Sequence, residues 1–82
     1  MATKKLHIHN LSWNTTEDDL LNASSEHYDA ERALVMRDVN TGRSRNYGFM
    51  FFDSPEGAAI TKKHLDNTEI NGRRITVTFA PE

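Results

Sequence analysis

The chain contains no cysteine. That excludes a disulfide scaffold and any thiolate site, catalytic or metal-binding. It also lacks an apolar run long enough to span a membrane as a helix. Lys4 and Lys5 precede a short alternating stretch, not the apolar core of a secretory signal, so nothing in the sequence argues for secretion. Charge of one sign is missing too. Ten Lys plus Arg stand against twelve Asp plus Glu, for a formal net charge of -2. This balance weighs against loose adhesion to a nucleic-acid backbone. It does not prevent positive charge from gathering on one side. With 82 residues, a single domain is expected over residues 1–82, its core spanning about residues 5–80 and its stability modest.

Aromatic residues are few, yet four of the six Phe and Tyr fall in Arg45-Asn46-Tyr47-Gly48-Phe49-Met50-Phe51-Phe52. Length and content suit a central strand. Alternation puts Tyr47, Phe49 and Phe51 on one face and Gly48, Met50 and Phe52 on the other. Both faces are apolar or aromatic, so one meets the core and the other requires a separate reason.

Lys5 to His9 also alternates, with Leu6 and Ile8 inward and His7 and His9 outward. The two histidines share a face, but no third ligand lies near them in sequence, so no metal site is expected. Thr15 and Thr16 each precede an acid by three residues, which marks a helix start. Leu20 and Leu21 begin its apolar side, and the pattern then fades into Ala23-Ser24. Arg32 to Arg37 reads as a strand with Ala33 and Val35 inward and Leu34 and Met36 outward. Thr41-Gly42 lies in the loop that follows. Ser54-Pro55-Glu56 opens a second helix, whose inner stripe is Ala58, Thr61 and Leu65, with Lys62 snorkelling beside it. Glu69-Ile70 reads as a short extra strand before the Asn71-Gly72 turn. Ile75, Val77 and Phe79 then point inward, and Thr76 and Thr78 outward. Trp13, between the first strand and the first helix, is expected to pack against the end of the domain.

The element order is strand, helix, strand, strand, helix, strand. That is the α+β ferredoxin-like arrangement, a four-stranded antiparallel sheet with two helices on one face. The other face is left bare, and an exposed aromatic patch marks a binding site. Arg37, Arg43 and Arg45 cluster around the central strand, with Arg73 and Arg74 before the last. The early acidic block from Glu17 to Glu31 is expected at the back.

The stretch from Arg45 to Phe52 resembles the RNP1 motif of the RNA recognition motif family, through Arg45, Tyr47, Gly48, Phe49 and Phe52. Asn46 replaces the usual Gly and Met50 the usual Val. Leu6 to Leu11 resembles the companion RNP2 motif, which Asn10 and Leu11 complete. His7 occupies its base-stacking position, and an imidazole can stack on a base. Ile70 to Ile75 is similar to the end of many such domains, those of SR-type splicing factors included.

This resemblance implies binding of single-stranded RNA, with single-stranded DNA as a substitute in vitro, in RNA processing or regulation. Bases would stack on His7, Tyr47 and Phe49, with Phe51 and His9 on the same face. Arg45 would hold a phosphate, and Arg37, Arg43 and Arg74 would add positive charge. Asn10, Met36, Thr76, Thr78 and Ala80 would complete the surface, the last strand and its exit reading base edges. Neither cofactor nor enzymatic chemistry is expected, and a small ferredoxin-like hydrolase is disfavoured because Leu11-Ser12-Trp13-Asn14 supplies no anion cradle. Nucleus or cytoplasm is the implied compartment. The rival reading is a protein-interaction module of the same fold, with a partner on the sheet or the helical face.

Overall fold

A computed structural model describes residues 2–82 as β1 (Lys5–His9), α1 (Glu17–Ser25), β2 (Arg32–Arg37), β3 (Ser44–Phe51), α2 (Pro55–Leu65), β4 (Glu69–Ile70), β5 (Arg73–Arg74) and β6 (Thr76–Phe79). Four strands form one sheet in the order β2-β3-β1-β6, each neighbour antiparallel. β3 and β1 are central, so the two stretches with outward-facing rings lie side by side. This is the expected ferredoxin-like arrangement.

Period-2 alternation decides which face is dry. Leu6, Ile8, Val35, Met50 and Val77 are buried, joined by Phe52 and Ile75. Leu20 of α1 and Ala58 and Leu65 of α2 close over them. Each such large apolar side chain contributes about 1.5–3 kcal/mol relative to exposure. Gly48 shares this face for a different reason. A Cβ there would collide with the Leu34 backbone carbonyl, because β2 and β3 approach closely beside the register shift between Val35 and Arg37.

The helix starts follow local chemistry. Thr16 caps α1 in a reciprocal box: its hydroxyl accepts from the Asp19 N–H, and the Asp19 carboxylate accepts from the Thr16 N–H at 3.0 Å. Thr15 is buried instead, with its hydroxyl 2.9 Å from that of Ser12. Ser54 caps α2, accepting from the Gly57 N–H at 3.2 Å, and Pro55 takes the first helical position. The small pair Ala23-Ser24 suggests an underfilled seam beneath α1. The structure corrects this. Ser24 is fully buried and donates to the Leu21 carbonyl. Tyr28 lies against Gly57, its ring centroid 6.2 Å from that of Phe52, and its hydroxyl donates to Asp53 at 2.7 Å.

Asn71 and Gly72 both adopt left-handed φ, 52° and 83°, and turn β4 into β5. The Asn71 carboxamide donates to Thr15 and Asp19, tying this hairpin to the start of α1. The last strand starts one residue later than alternation suggests. Ile75 bonds back to the preceding loop, donating to the Thr68 carbonyl and accepting from the Asn67 N–H. The outer strands each meet a carboxylate. Glu17 accepts from the Val35 N–H of β2, and Asp66 from the Val77 N–H of β6, both at 2.9 Å.

Candidate nucleic-acid interface

Among the described residues no helix crosses the second face of the sheet, and strand register arranges its side chains in three rungs. In the middle rung Leu34, Phe49, His7 and Thr78 lie side by side across all four strands. In the next, Tyr47 pairs with His9 and His9 with Thr76. In the third, Phe51 is flanked by Arg32 on β2 and Lys5 on β1. Tyr47, Phe49 and Phe51 are half-buried, and Leu34, Thr76 and Thr78 are exposed. The rings meet one another: Tyr47 and Phe49 edge to face with centroids 6.0 Å apart, Phe49 and His7 nearly parallel at 4.7 Å.

His7 is half-buried among these rings. His9 lies against it with centroids 3.7 Å apart, and the His7 Nε2 is buried without a hydrogen-bond partner among the described residues. It therefore does not present a free face as the sequence suggests, and His9 must move before a base can cover it. Desolvation, then the neighbouring His9, then Lys5 hold its pKa below the ordinary 6.5. His9 itself meets Thr78, Nε2 to hydroxyl 3.2 Å.

Two loops border the rung that holds Tyr47. Asn46, where glycine is usual, has φ 65°, a left-handed value that asparagine tolerates better than most residues. Its carboxamide donates to the Leu11 carbonyl, and its own carbonyl accepts from the Leu11 N–H, each at 2.9 Å. The β2–β3 loop is folded by Asp38, whose carboxylate accepts from the N–H groups of Asn40 and Thr41. Those bonds lower its pKa. Arg43 and Arg45 are exposed at this end.

Several expected site residues are placed differently. Trp13 does not pack against the domain. It is 80 % exposed and shares a cleft with Arg37, Thr41, Gly42, Arg43 and Ser44. Arg37 turns toward the helices, on the side of Ala33 and Val35, as period-2 alternation along β2 requires. Its guanidinium holds Glu17 through bonds of 2.9 and 3.2 Å, which lowers the Glu17 pKa to about 2. Arg37 is thus neutralised by the acidic block expected at the back. Ala80 is buried, its N–H donating to Lys5 and its carbonyl accepting from Thr3, so it is not placed to read a base. Asn10, with φ 66°, donates to the Arg74 carbonyl and accepts from Arg73, bracing the β4–β5 hairpin. Arg74 lies on that hairpin, 3.8 Å from Glu69. Met36 is half-buried on β2.

Sequence reasoning missed Lys5 and Arg32. Extending alternation by two residues beyond His7 and Leu34 would have put both on the open face. The Arg32 guanidinium carbon lies 4.3 Å from the Phe51 centroid, and the Lys5 Nζ 4.5 Å from that of Phe49 and 5.5 Å from that of Phe51. Such contacts are worth about 0.5–1 kcal/mol at exposed sites. A flat row of rings with cations at its margins can hold planar, anionic polymers.

Comparison with known proteins agrees with this geometry. Residues 6–76 match the family model described as RNA recognition motif. A glycine-rich RNA-binding protein 1 of Mycosarcoma maydis is 42% identical over 76 residues, covering 93% of this chain and 43% of that protein. A mitochondrial glycine-rich RNA-binding protein 4 of Arabidopsis thaliana is 38% identical over 80 residues, covering 98% of this chain and 59% of that protein. The chain therefore spans about half the length of these curated relatives. Among solved structures, the second RRM domain of the yeast poly(U)-binding protein superposes with a TM-score of 0.88 at 30% identity, covering 98% of this chain and 96% of that one.

Proposed function

The chain belongs to the RNA recognition motif family, and from that premise we propose that it binds single-stranded RNA on the open face of its sheet. One observation carries the reading: Phe49 pairs with His7, and Tyr47 adjoins both, on a face that no helix of the described residues covers. Unpaired bases have exposed π-faces, and each stacked base is worth about 1–3 kcal/mol. A base rests on Phe49 and its neighbour against Tyr47, while His7 joins once His9 swings aside. Thr76 and Thr78 offer hydroxyls to base edges along β6. Arg43 and Arg45 bring positive charge from the loop side. The role is recognition in RNA processing or regulation, carried out by one domain over residues 1–82.

Stacking does not distinguish ribose from deoxyribose, so single-stranded DNA binds as well in vitro. Duplex RNA does not, because its bases are stacked on each other. The Arabidopsis relative is mitochondrial by name, so an organelle stands beside nucleus and cytoplasm as the compartment. The helical face, which faces away from the RNA, is left for a protein partner.

Titration with short mixed-sequence RNA, followed by amide and aromatic NMR shifts, tests this. Shifts concentrated at His7, Tyr47, Phe49 and Thr78 are expected. No shifts with RNA, together with shifts on this face when a protein partner is added, would establish the protein-interaction reading instead.

A further inference from the structure

We propose that Lys5, Arg32 and Phe51 form a phosphate seat at the end of the sheet away from the β2–β3 loop. This deepens the RNA-binding reading and rests on it. Register makes the seat. Phe51 on β3 has Lys5 as its cross-strand partner on one side and Arg32 on the other. Both cations lie over the ring, at 5.5 Å for Nζ and 4.3 Å for the guanidinium carbon. Lys5 also reaches within 4.5 Å of the Phe49 centroid, so the seat is continuous with the stacking surface.

Two features point to an anion as the occupant. Among the described residues, the ion pairs are Arg37 with Glu17 and Arg74 with Glu69, so neither Lys5 nor Arg32 has a carboxylate at pairing distance. Two like charges thus converge on one apolar ring with no carboxylate at pairing distance from either. Phe51 is also ill placed as a base platform, since Arg32 already stands over it. Its ring supports the cations, and their N–H groups are left to donate to an oxygen anion. One edge of Phe51 borders a concavity that Phe52, Lys4, Lys5, Glu31 and Glu82 also line. Those carboxylates repel an anion from the concavity and keep it over the ring, next to Phe49. A backbone phosphate attached to the nucleotide stacked on Phe49 has the charge and reach to sit there. A guanidinium donates two parallel bonds to such a group, and an ammonium adds a third.

The test is the salt dependence of binding to a mixed-sequence RNA hexanucleotide. Wild type is compared with Lys5→Gln/Arg32→Gln, with Tyr47→Ala, and with Lys62→Gln/Lys63→Gln, which removes the same charge from α2. Each neutralised phosphate of a single strand adds about 0.7 to the slope of log K against log salt. The Lys5/Arg32 variant should lose about that much slope, so its affinity deficit narrows about 2.5-fold between roughly 50 and 200 mM salt. Tyr47→Ala should weaken binding with the slope unchanged, and the α2 variant should leave both alone. A wild-type slope in the Lys5/Arg32 variant, while Tyr47→Ala still weakens binding, overturns the seat and leaves the RNA reading standing. An equal loss of slope in the α2 variant overturns it too, since bulk charge then explains the effect. If wild type binds no RNA, both readings fall together.

Discussion

Tyr47 and Phe49 hold each other edge to face on the bare side of the sheet, so truncating either removes a stacking platform without opening the core. Tyr47→Ala and Phe49→Ala should each weaken RNA binding by about 1–3 kcal/mol while circular dichroism stays unchanged. Full affinity in both would end the sheet-binding reading. His7 is subtler. Its pKa in the fold lies below the 6.5 of the unfolded chain, chiefly through desolvation. Below 6.5 the unfolded chain therefore binds more protons, so His7 supports folding above that pH and the support is lost as the pH falls. RNA acts in the opposite direction. Its phosphates favour the protonated ring, so binding should tighten on acidification. An unperturbed histidine would show this between about pH 8 and 6. The lowered pKa moves the window to the acid side of 6.5. Affinity measured from about pH 7 to 5 at constant ionic strength should rise for wild type and stay flat for His7→Phe. His9→Gln, which removes a repelling charge, should shift the window upward. A His7→Phe protein with the full wild-type dependence would move the effect to His9 or to a titrating base.

Elements were legible where their causes are local. The two helix starts rest on Thr16 with Asp19 and on Ser54 with Pro55, all within one turn. Thr16→Ala should therefore destabilise by about 1 kcal/mol in urea melts. The open-face alternation of β1, β3 and β6 was equally plain, because period 2 needs no knowledge of the partner strand. What stayed hidden depended on distant contacts. Tyr28 fills the seam over Gly57, and nothing near Ala23-Ser24 announces it. Ser24→Phe, attractive if the seam were loose, should instead destabilise by about 1–3 kcal/mol through overpacking. A stabilised variant would show that space is present after all. Arg37 looked like an open-face cation because it sits among arginines in sequence, yet one further step of alternation beyond Val35 puts it on the inner side, where it meets Glu17. Trp13 looked like a packing residue because large aromatics usually are, and only the loop's course leaves it exposed.

At the scale of the molecule, a net charge of -2 conceals a division. Lys5 and Arg32 sit at one end of the open face and Arg43 and Arg45 at the other, while Glu17 draws Arg37 toward the helices. Glu17 keeps its charge to a pKa of about 2, against 4.5 unfolded. Its contribution is therefore complete above pH 4.5 and disappears as the pH falls toward 2. Glu17→Gln should lower the thermal midpoint at pH 7 and differ little from wild type near the lower limit, and a gap that persists there would contradict the pairing. The same carboxylate, with Asp66 on the opposite side, has one more effect. Sheets grow by adding strands at their borders, and a free border N–H is an invitation to another molecule. Here Val35 and Val77, one on each border, already donate to a side chain of their own chain. A face kept bare for ligand is thereby combined with rims that discourage self-association. Glu17→Ala/Asp66→Ala should accordingly scatter more light at high concentration than wild type, as neighbouring copies begin to continue one another's sheets.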